Sequence, residues 1–449
     1  MTRVEDSRSS VSGGYDRGGG SPNGREQVGR TPPAAPSPAA SLTRLAIAVA
    51  LIVLLAIATG TGDVLIVIAA LVAMVMLHEL GHFITAKWSG MKVTEYFLGF
   101  GPRIWSTRRG ETEYGIKALP LGGYVKIIGM SNLEEVPPED EARTYRQKPL
   151  PNKLLVAVAG SAMHFVIALV LIFVILVGYG VAQDQSVQVQ GLTSWQGPAS
   201  PAKLAGVKPG DVIVSIDGKA VHSFDQVSEV TSKSVGKAVT LVVERDGHDQ
   251  TLHITPIDGH DVTIDGVPAV TSTKDTGLIG VELQNPVVRV EPLTAAGRSF
   301  TQFGSLVKES VVAVWQRFSP AGIGNLFDQV TNAHAAQQAE TDGNRPESIY
   351  GAARTAVQGL QVGWADFLWV LVLINVFIGM LNLLPMLPLD GGHVVVAVYE
   401  GIRSRRNRPY HADVSKLTPV AYAFMLLLGF VVLSSFYLDI AHPLPNLFK

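Results

Sequence analysis

The chain has 449 residues, 47% hydrophobic and 16% charged, with a net charge of −2 at pH 7 and a positive mean hydropathy. That balance is too apolar for an ordinary soluble protein and fits a membrane protein with soluble parts, and the near-zero charge gives no whole-molecule signal for nucleic acid. Cysteine is absent, which excludes disulfides and thiolate-bound metals, so any metal must be held by histidine and carboxylate.

Residues 1–42 are rich in Gly, Ser, Pro and Arg, as in SVSGGYDRGGGSPNG and RTPPAAPSPAAS. They bury too little apolar surface to offset their ordering entropy and read as a disordered cytoplasmic tail. Leu45–Thr59 is an apolar run of marginal spanning length, read as an additional transmembrane helix over 43–61. A cleaved signal peptide is the competing reading, and the long polar lead argues against it. The run at 64–87 is a clear span, set at 62–88, and it ends in His78-Glu79-Leu80-Gly81-His82. Runs at 154–181, 367–389 and 420–438 each have the length of a membrane helix, giving spans at 151–182, 361–392 and 418–440. The fold class expected is a polytopic α-helical membrane protein with about five transmembrane helices.

Lys and Arg set the orientation. The 89–150 loop carries Lys92, Arg103, Arg108, Arg109, Arg143, Arg146 and Lys148. The 393–417 loop carries Arg403, Arg405, Arg406 and Arg408, a cluster suited to anionic lipid headgroups rather than nucleic acid. The positive-inside rule puts these segments in the cytoplasm and residues between the third and fourth spans outside.

The outer segment SPAKLAGVKPGDVIVSIDGKAVHSFDQVSEVTSKSVGKAVTLVVERDGHDQTLHITP reads helix, turn, strand, turn, helix, strand, turn, strand. KPGD and IDGK supply turns, and DVIVSI and VTLVVE supply β-branched strands. This resembles a PDZ domain of the bacterial processing-protease kind, set at 183–258; an unrelated small α+β domain is the alternative. Residues 259–360 read as a linker, with strands near DTGLIGVELQNPVVRVEP and an amphipathic helix over 294–318 on the outer membrane face.

The chemistry lies at the end of the second span. His78 and His82 stand one helical turn apart on one face, so both imidazoles can reach one Zn²⁺. Glu79 lies about 100° round the helix, near the metal without being needed as a ligand, where it can accept a proton from an attacking water. Gly81 allows another segment to approach closely. Catalytic zinc usually has three protein ligands, and no histidine follows within the dozen residues after His82. The fourth span ends FIGMLNLLPMLPLDGGHVV, which puts Asp390 at the same depth as the histidine pair. Pro385, Pro388, Gly391 and Gly392 break regular helix there, as is tolerated where backbone lines a wet cavity. Asp390 then completes a His₂Asp zinc site; a helix-end carboxylate with no ligand role is the alternative.

H-E-x-x-H in one membrane helix, N-x-x-P-x-x-x-x-D-G in a later one and a PDZ-like segment between them resemble the site-2 protease family of intramembrane zinc metalloproteases. The likeness is closest to bacterial regulators of membrane-anchored anti-sigma factors, and it covers residues 64–440. It implies His78, His82 and Asp390 as zinc ligands and Glu79 as general acid/base. Asn382 matches the family's Asn, thought to hold substrate backbone or stabilise the oxyanion; a structural cap at the helix break is the plainer role. The segment GETEYGIKALPLGGYVKIIGM at 110–130 matches a membrane-dipping β-hairpin that offers an edge to an unwound substrate. An ordinary cytoplasmic hairpin is the alternative.

The third span departs from the family's frequent Gly-Pro-x-x-Asn, having Gly160-Ser161-Ala162-Met163-His164. His164 either lines the substrate path or bonds a neighbouring helix, and the latter is favoured. His393 reads as a solvated loop histidine. The resemblance implies a multi-pass protein of the bacterial plasma membrane, with its PDZ outside and its active site near the cytoplasmic side. It would cut the transmembrane segment of a single-span membrane protein, such as an anti-sigma factor, after a first extracytoplasmic cut. A catalytically inactive PDZ adaptor is the alternative function, and a membrane zinc carrier would need polar residues across the full depth of the spans. Substrate identity and oligomeric state are not legible.

Overall fold

The structure is a computed structural model and describes residues 38–130, 134–183, 186–264, 267–268, 276–342, 345–404, 410–444 and 448. Most of the expected tail (1–37) and Arg405, Arg406 and Arg408 lie outside the described residues. Among the described residues, four helices are long and apolar enough to cross a membrane: Gly62–Trp88, Leu150–Tyr179, Trp364–Asn382 and Val414–Ala441. Ahead of them α1 (Pro38–Thr59) begins earlier than expected, inside the segment read as tail. Its apolar part, Leu45–Thr59, is shorter than the other four. At 1.5 Å per residue that part reaches about 22 Å, against a hydrocarbon thickness of about 30 Å.

The helix with the histidine pair is α2 (Gly62–Trp88). It leads into a long antiparallel pair, β1 (Val93–Arg109) and β2 (Thr112–Ile127). The hairpin turn therefore falls at Gly110–Glu111, and the partner strand comes from 93–109, whose glycines and proline hide its strand character. The second half of β2 folds back, so Leu98 pairs with Ile116 on one side and Gly123 on the other. Salt bridges fasten the turn to the end of α2. Glu111 takes Lys87 at 2.5 Å and both Arg143 guanidinium nitrogens at 2.7 and 2.8 Å. The hydrogen bonds from Arg143, and then those of Lys87, hold the Glu111 carboxyl down at about 2.

The next span opens as α3 (Leu150–Val174) and ends in a wider turn, Ile175–Tyr179. It packs against α2 and against two later helices, α10 and α11, described below. Outside the spans comes β3 (Val187–Leu192), and after it α4 (Pro201–Ala205), β4 (Val212–Ile216), α5 (Phe224–Lys233), β5 (Val239–Arg245) and β6 (His248–Ile254) follow the expected order of elements. Asp217-Gly218 and Asp246-Gly247 make the turns with positive φ, as two-residue hairpin turns require. One correction applies: β7 (Val281–Gln284), from the stretch read as linker, pairs with β3 and extends the same sheet, in the order β7-β3-β4-β5-β6. Its neighbour Ile279 and the valines of β3 share one apolar core with Ile213, Leu241 and Ile254, which explains why the strand belongs there.

The amphipathic helix is α6 (Pro292–Phe318), and its inward side packs Ala295, Phe303 and Leu306 on the third and fourth spans. Short helices α7 (Pro320–Thr331), α8 (Ala333–Thr341) and α9 (Ile349–Val362) follow. The fourth span is α10 (Trp364–Asn382), where Phe367, Val370 and Leu371 meet Val67 and Met74 of α2. Residues 383–389 break the helix, as the prolines predict, and α11 (Asp390–Arg403) starts at the aspartate itself. Gly391 and Gly392 are thus helical rather than breakers. A Cβ on Gly391 would stand 2.3 Å from the carbonyl oxygens of Leu383 and Leu384, so the two glycines let the first turn of α11 sit in the broken loop. The last span is α12 (Thr418–Ala441).

Candidate metal centre

In α2 the i, i+4 spacing brings His78 Nε2 and His82 Nε2 to 3.3 Å of each other. From the start of α11, Asp390 Oδ2 reaches 3.6 Å from His78 Nε2 and 3.4 Å from His82 Nε2. These three residues could hold a metal ion. Tetrahedral zinc with bonds of ~2.0–2.1 Å separates its ligand atoms by about 3.3–3.4 Å. The observed triangle, with edges of 3.3, 3.4 and 3.6 Å, fits that size.

The donor atoms are prepared for a cation. His82 Nδ1 lies 2.7 Å from the Val156 carbonyl oxygen, so this nitrogen carries the proton and Nε2 presents its lone pair to the triangle. Asp390 Oδ2 is buried without a hydrogen-bond partner. An unmatched buried carboxylate oxygen between two imidazole lone pairs is costly, and a bound cation removes the cost.

Close backbone approach makes the arrangement possible. A Cβ on Gly81 would lie 2.5 Å from the Ala159 carbonyl oxygen, and one on Gly160 would lie 2.4 Å from both His78 Cε1 and His82 Nε2. Small residues at a helix crossing are how membrane helices reach such contact. The close approach expected at Gly81 is therefore made by α3.

Glu79 stands outside the triangle. Its Cγ is 3.1 Å from where a Cβ on Gly123 would be, so the returning half of β2 passes over it. The Val125 backbone amide faces its carboxyl group. Asn382 closes α10, half-buried, and among the described residues its amide has no hydrogen-bond partner. His164 bonds a neighbouring helix, as favoured: its Nδ1 lies 2.8 Å from Asn375 Oδ1 in α10. Its ring also lies 5.0 Å from that of His78, centroid to centroid. His393 is not in a solvated loop. It lies one turn along α11 from Asp390 and lines a cavity of about 200 Å³ with Tyr145, Arg146, Leu387 and Glu400.

Three buried polar residues of the helices around the site were not read from the sequence. Asn375 is fully buried in the middle of an apolar run, and a lone amide at that depth was the available signal. Lys153 of α3 and Glu400 of α11 form a buried ion pair at 2.8 Å, and Glu400 also accepts from the Ala412 amide at 2.8 Å. Nothing in their spacing marked them as partners.

The sequence pattern of peptidase family M50 matches residues 66–428. The chain belongs to peptidase family M50, the site-2 proteases. It is 35% identical over 404 residues to zinc metalloprotease Rip1 of Mycobacterium tuberculosis, a match covering 84% of this chain and 96% of that protein. It is 34% identical over 402 residues to the protein of the same name in Mycolicibacterium smegmatis, again over 84% and 96%. The family match includes the histidine pair and Asp390 and leaves out α1.

Proposed function

We propose that the chain is a zinc metalloendopeptidase that hydrolyses a peptide bond in the transmembrane segment of a single-span membrane protein. The observation that carries this reading is the triangle of His78, His82 and Asp390 donor atoms at the end of an apolar helix. Membership of a peptidase family and relatives named zinc metalloproteases support the same reaction and metal.

Bound in the triangle, zinc supplies Lewis acidity, polarising a carbonyl and lowering the pKa of a water to about 7. His78 Nε2, His82 Nε2 and an Asp390 oxygen would hold it, and the Val156 carbonyl keeps His82 in the ligating tautomer. Glu79, beside the triangle, takes the proton of the attacking water and passes it to the leaving nitrogen. A helical substrate shields its carbonyls with its own backbone and must unwind first. The 123–127 stretch of β2 pairs with β1 and lies over Glu79, where its far edge receives the extended substrate as an added strand. Asn382, whose amide is unengaged among the described residues, donates to the substrate backbone or to the developing oxyanion.

The Lys- and Arg-rich hairpin loop supports a site near the cytoplasmic face of a bacterial plasma membrane. The six-stranded sheet with α4 and α5 is read as an extracytoplasmic PDZ domain. It acts as a size filter admitting substrates such as anti-sigma factors after a first outer cut. Glu79→Gln tests the catalytic reading. Transmembrane fragments compared by mass spectrometry are expected to fall about 10²–10⁴-fold in the variant, the usual worth of a general acid/base. Equal fragment yields would instead describe a non-catalytic adaptor.

A further inference from the structure

The two histidines of the triangle are held differently. His82 has an orienting acceptor, the Val156 carbonyl, on its second ring nitrogen. His78 has a weaker hold: among the described residues its buried Nδ1 makes no hydrogen bond of good geometry, and only the Gly160 backbone faces the ring. Metal-bound histidines almost always have such a partner, because it fixes both tautomer and ring plane. Something else must hold the His78 ring.

The neighbour able to do so is His164. It is 2% exposed, and its ring stands 5.0 Å from His78 at an interplanar angle of 42°. His164 is itself locked. Asn375 Nδ2 donates to the Leu371 carbonyl at 2.8 Å, which assigns the amide and leaves Oδ1 as acceptor. His164 Nδ1 therefore donates to Oδ1 across 2.8 Å, and its ring cannot turn without breaking a buried bond. Gly379, one turn further along α10, keeps the two helices close: a Cβ there would come within 2.6 Å of Phe165 and 3.2 Å of His164 Cβ.

We infer that His164, held by Asn375, is a positioning residue for His78, replacing by ring packing the hydrogen bond that His78 lacks. The inference rests on the reading of His78 as a metal ligand. It also gives α10 a direct hold on the triangle: a shift of Asn375 moves His164, and His164 moves the His78 plane. His164 touches neither substrate nor metal in this account.

The test is zinc affinity of the full chain in detergent, by competition with a chelator, alongside the melting midpoint of the zinc-free protein. His164→Ala is expected to weaken zinc binding about 10–100-fold, the usual cost of losing an outer partner. His164→Phe keeps a ring against His78 but loses the Asn375 bond, and it is expected to fall between parent and His164→Ala. Zinc affinity of His164→Ala within about two-fold of the parent overturns the inference, even with a lowered zinc-free midpoint, because that is the pattern of a purely structural residue. His78→Ala separates the two levels. If it loses zinc while His164→Ala keeps it, only the positioning role falls. If His78→Ala binds zinc as the parent does, the ligand reading falls and the inference with it.

Discussion

At residue 160 a Cβ would occupy the space now filled by the His78 and His82 rings, at 2.4 Å from each. Contacts under 3.0 Å are not relieved by small shifts when two packed helices carry the partners. Gly160→Ala is therefore expected to turn one imidazole off the triangle, so that the purified protein holds much less than one equivalent of zinc by elemental analysis. Full zinc occupancy would show that the α2–α3 contact is softer than its packing implies. The candidate ligands were legible because metal chemistry restricts them: two imidazoles need one helical turn, and a third ligand needs the same depth. Gly160 and Asn375 were not, since their roles depend on which helix faces which, and a sequence does not state that. His393 was misread for the same reason, a loop being expected where α11 continues.

Among the elements, α11 is the one whose placement most needs explaining, since it alone brings Asp390 to the histidines. Its glycines settle the first turn into the broken loop, and the Lys153–Glu400 pair fixes its far half to α3. Both side chains are under 10% exposed, so removing one takes the counter-charge away from a buried ion. Lys153→Met is expected to cost about 3–5 kcal/mol, read as a lowered midpoint in thermal unfolding. The double variant Lys153→Met with Glu400→Leu should recover most of that loss, because a well-packed apolar pair often matches a buried ion pair. Failure of the double variant to recover would mean that the Ala412 amide bond to Glu400 matters more than the charge. The spans and the amphipathic α6 were legible from apolar length and periodicity. The hairpin was legible only in its second strand, because the glycines and proline of 93–109 disguise the first. The sheet's edge strand β7 was missed as part of the domain, since pairing across a long insertion leaves no local signal.

In the whole molecule, two segments far apart in the chain meet at one point, with α3 between them and the hairpin over them. The sheet of β3 to β7 has its own apolar core, separate from the clusters that join α2, α3 and α10. The proposed metal site is therefore built by helix packing and not by the sheet. The claim under all of this is that α2 and α11 share a single zinc ion. Zinc K-edge X-ray absorption of the purified full chain tests it most directly. The account predicts nitrogen and oxygen neighbours at ~2.0–2.1 Å with the scattering of two imidazoles, reduced in coordination by Asp390→Ala. A spectrum without imidazole scattering, or one that Asp390→Ala leaves unchanged, would contradict it.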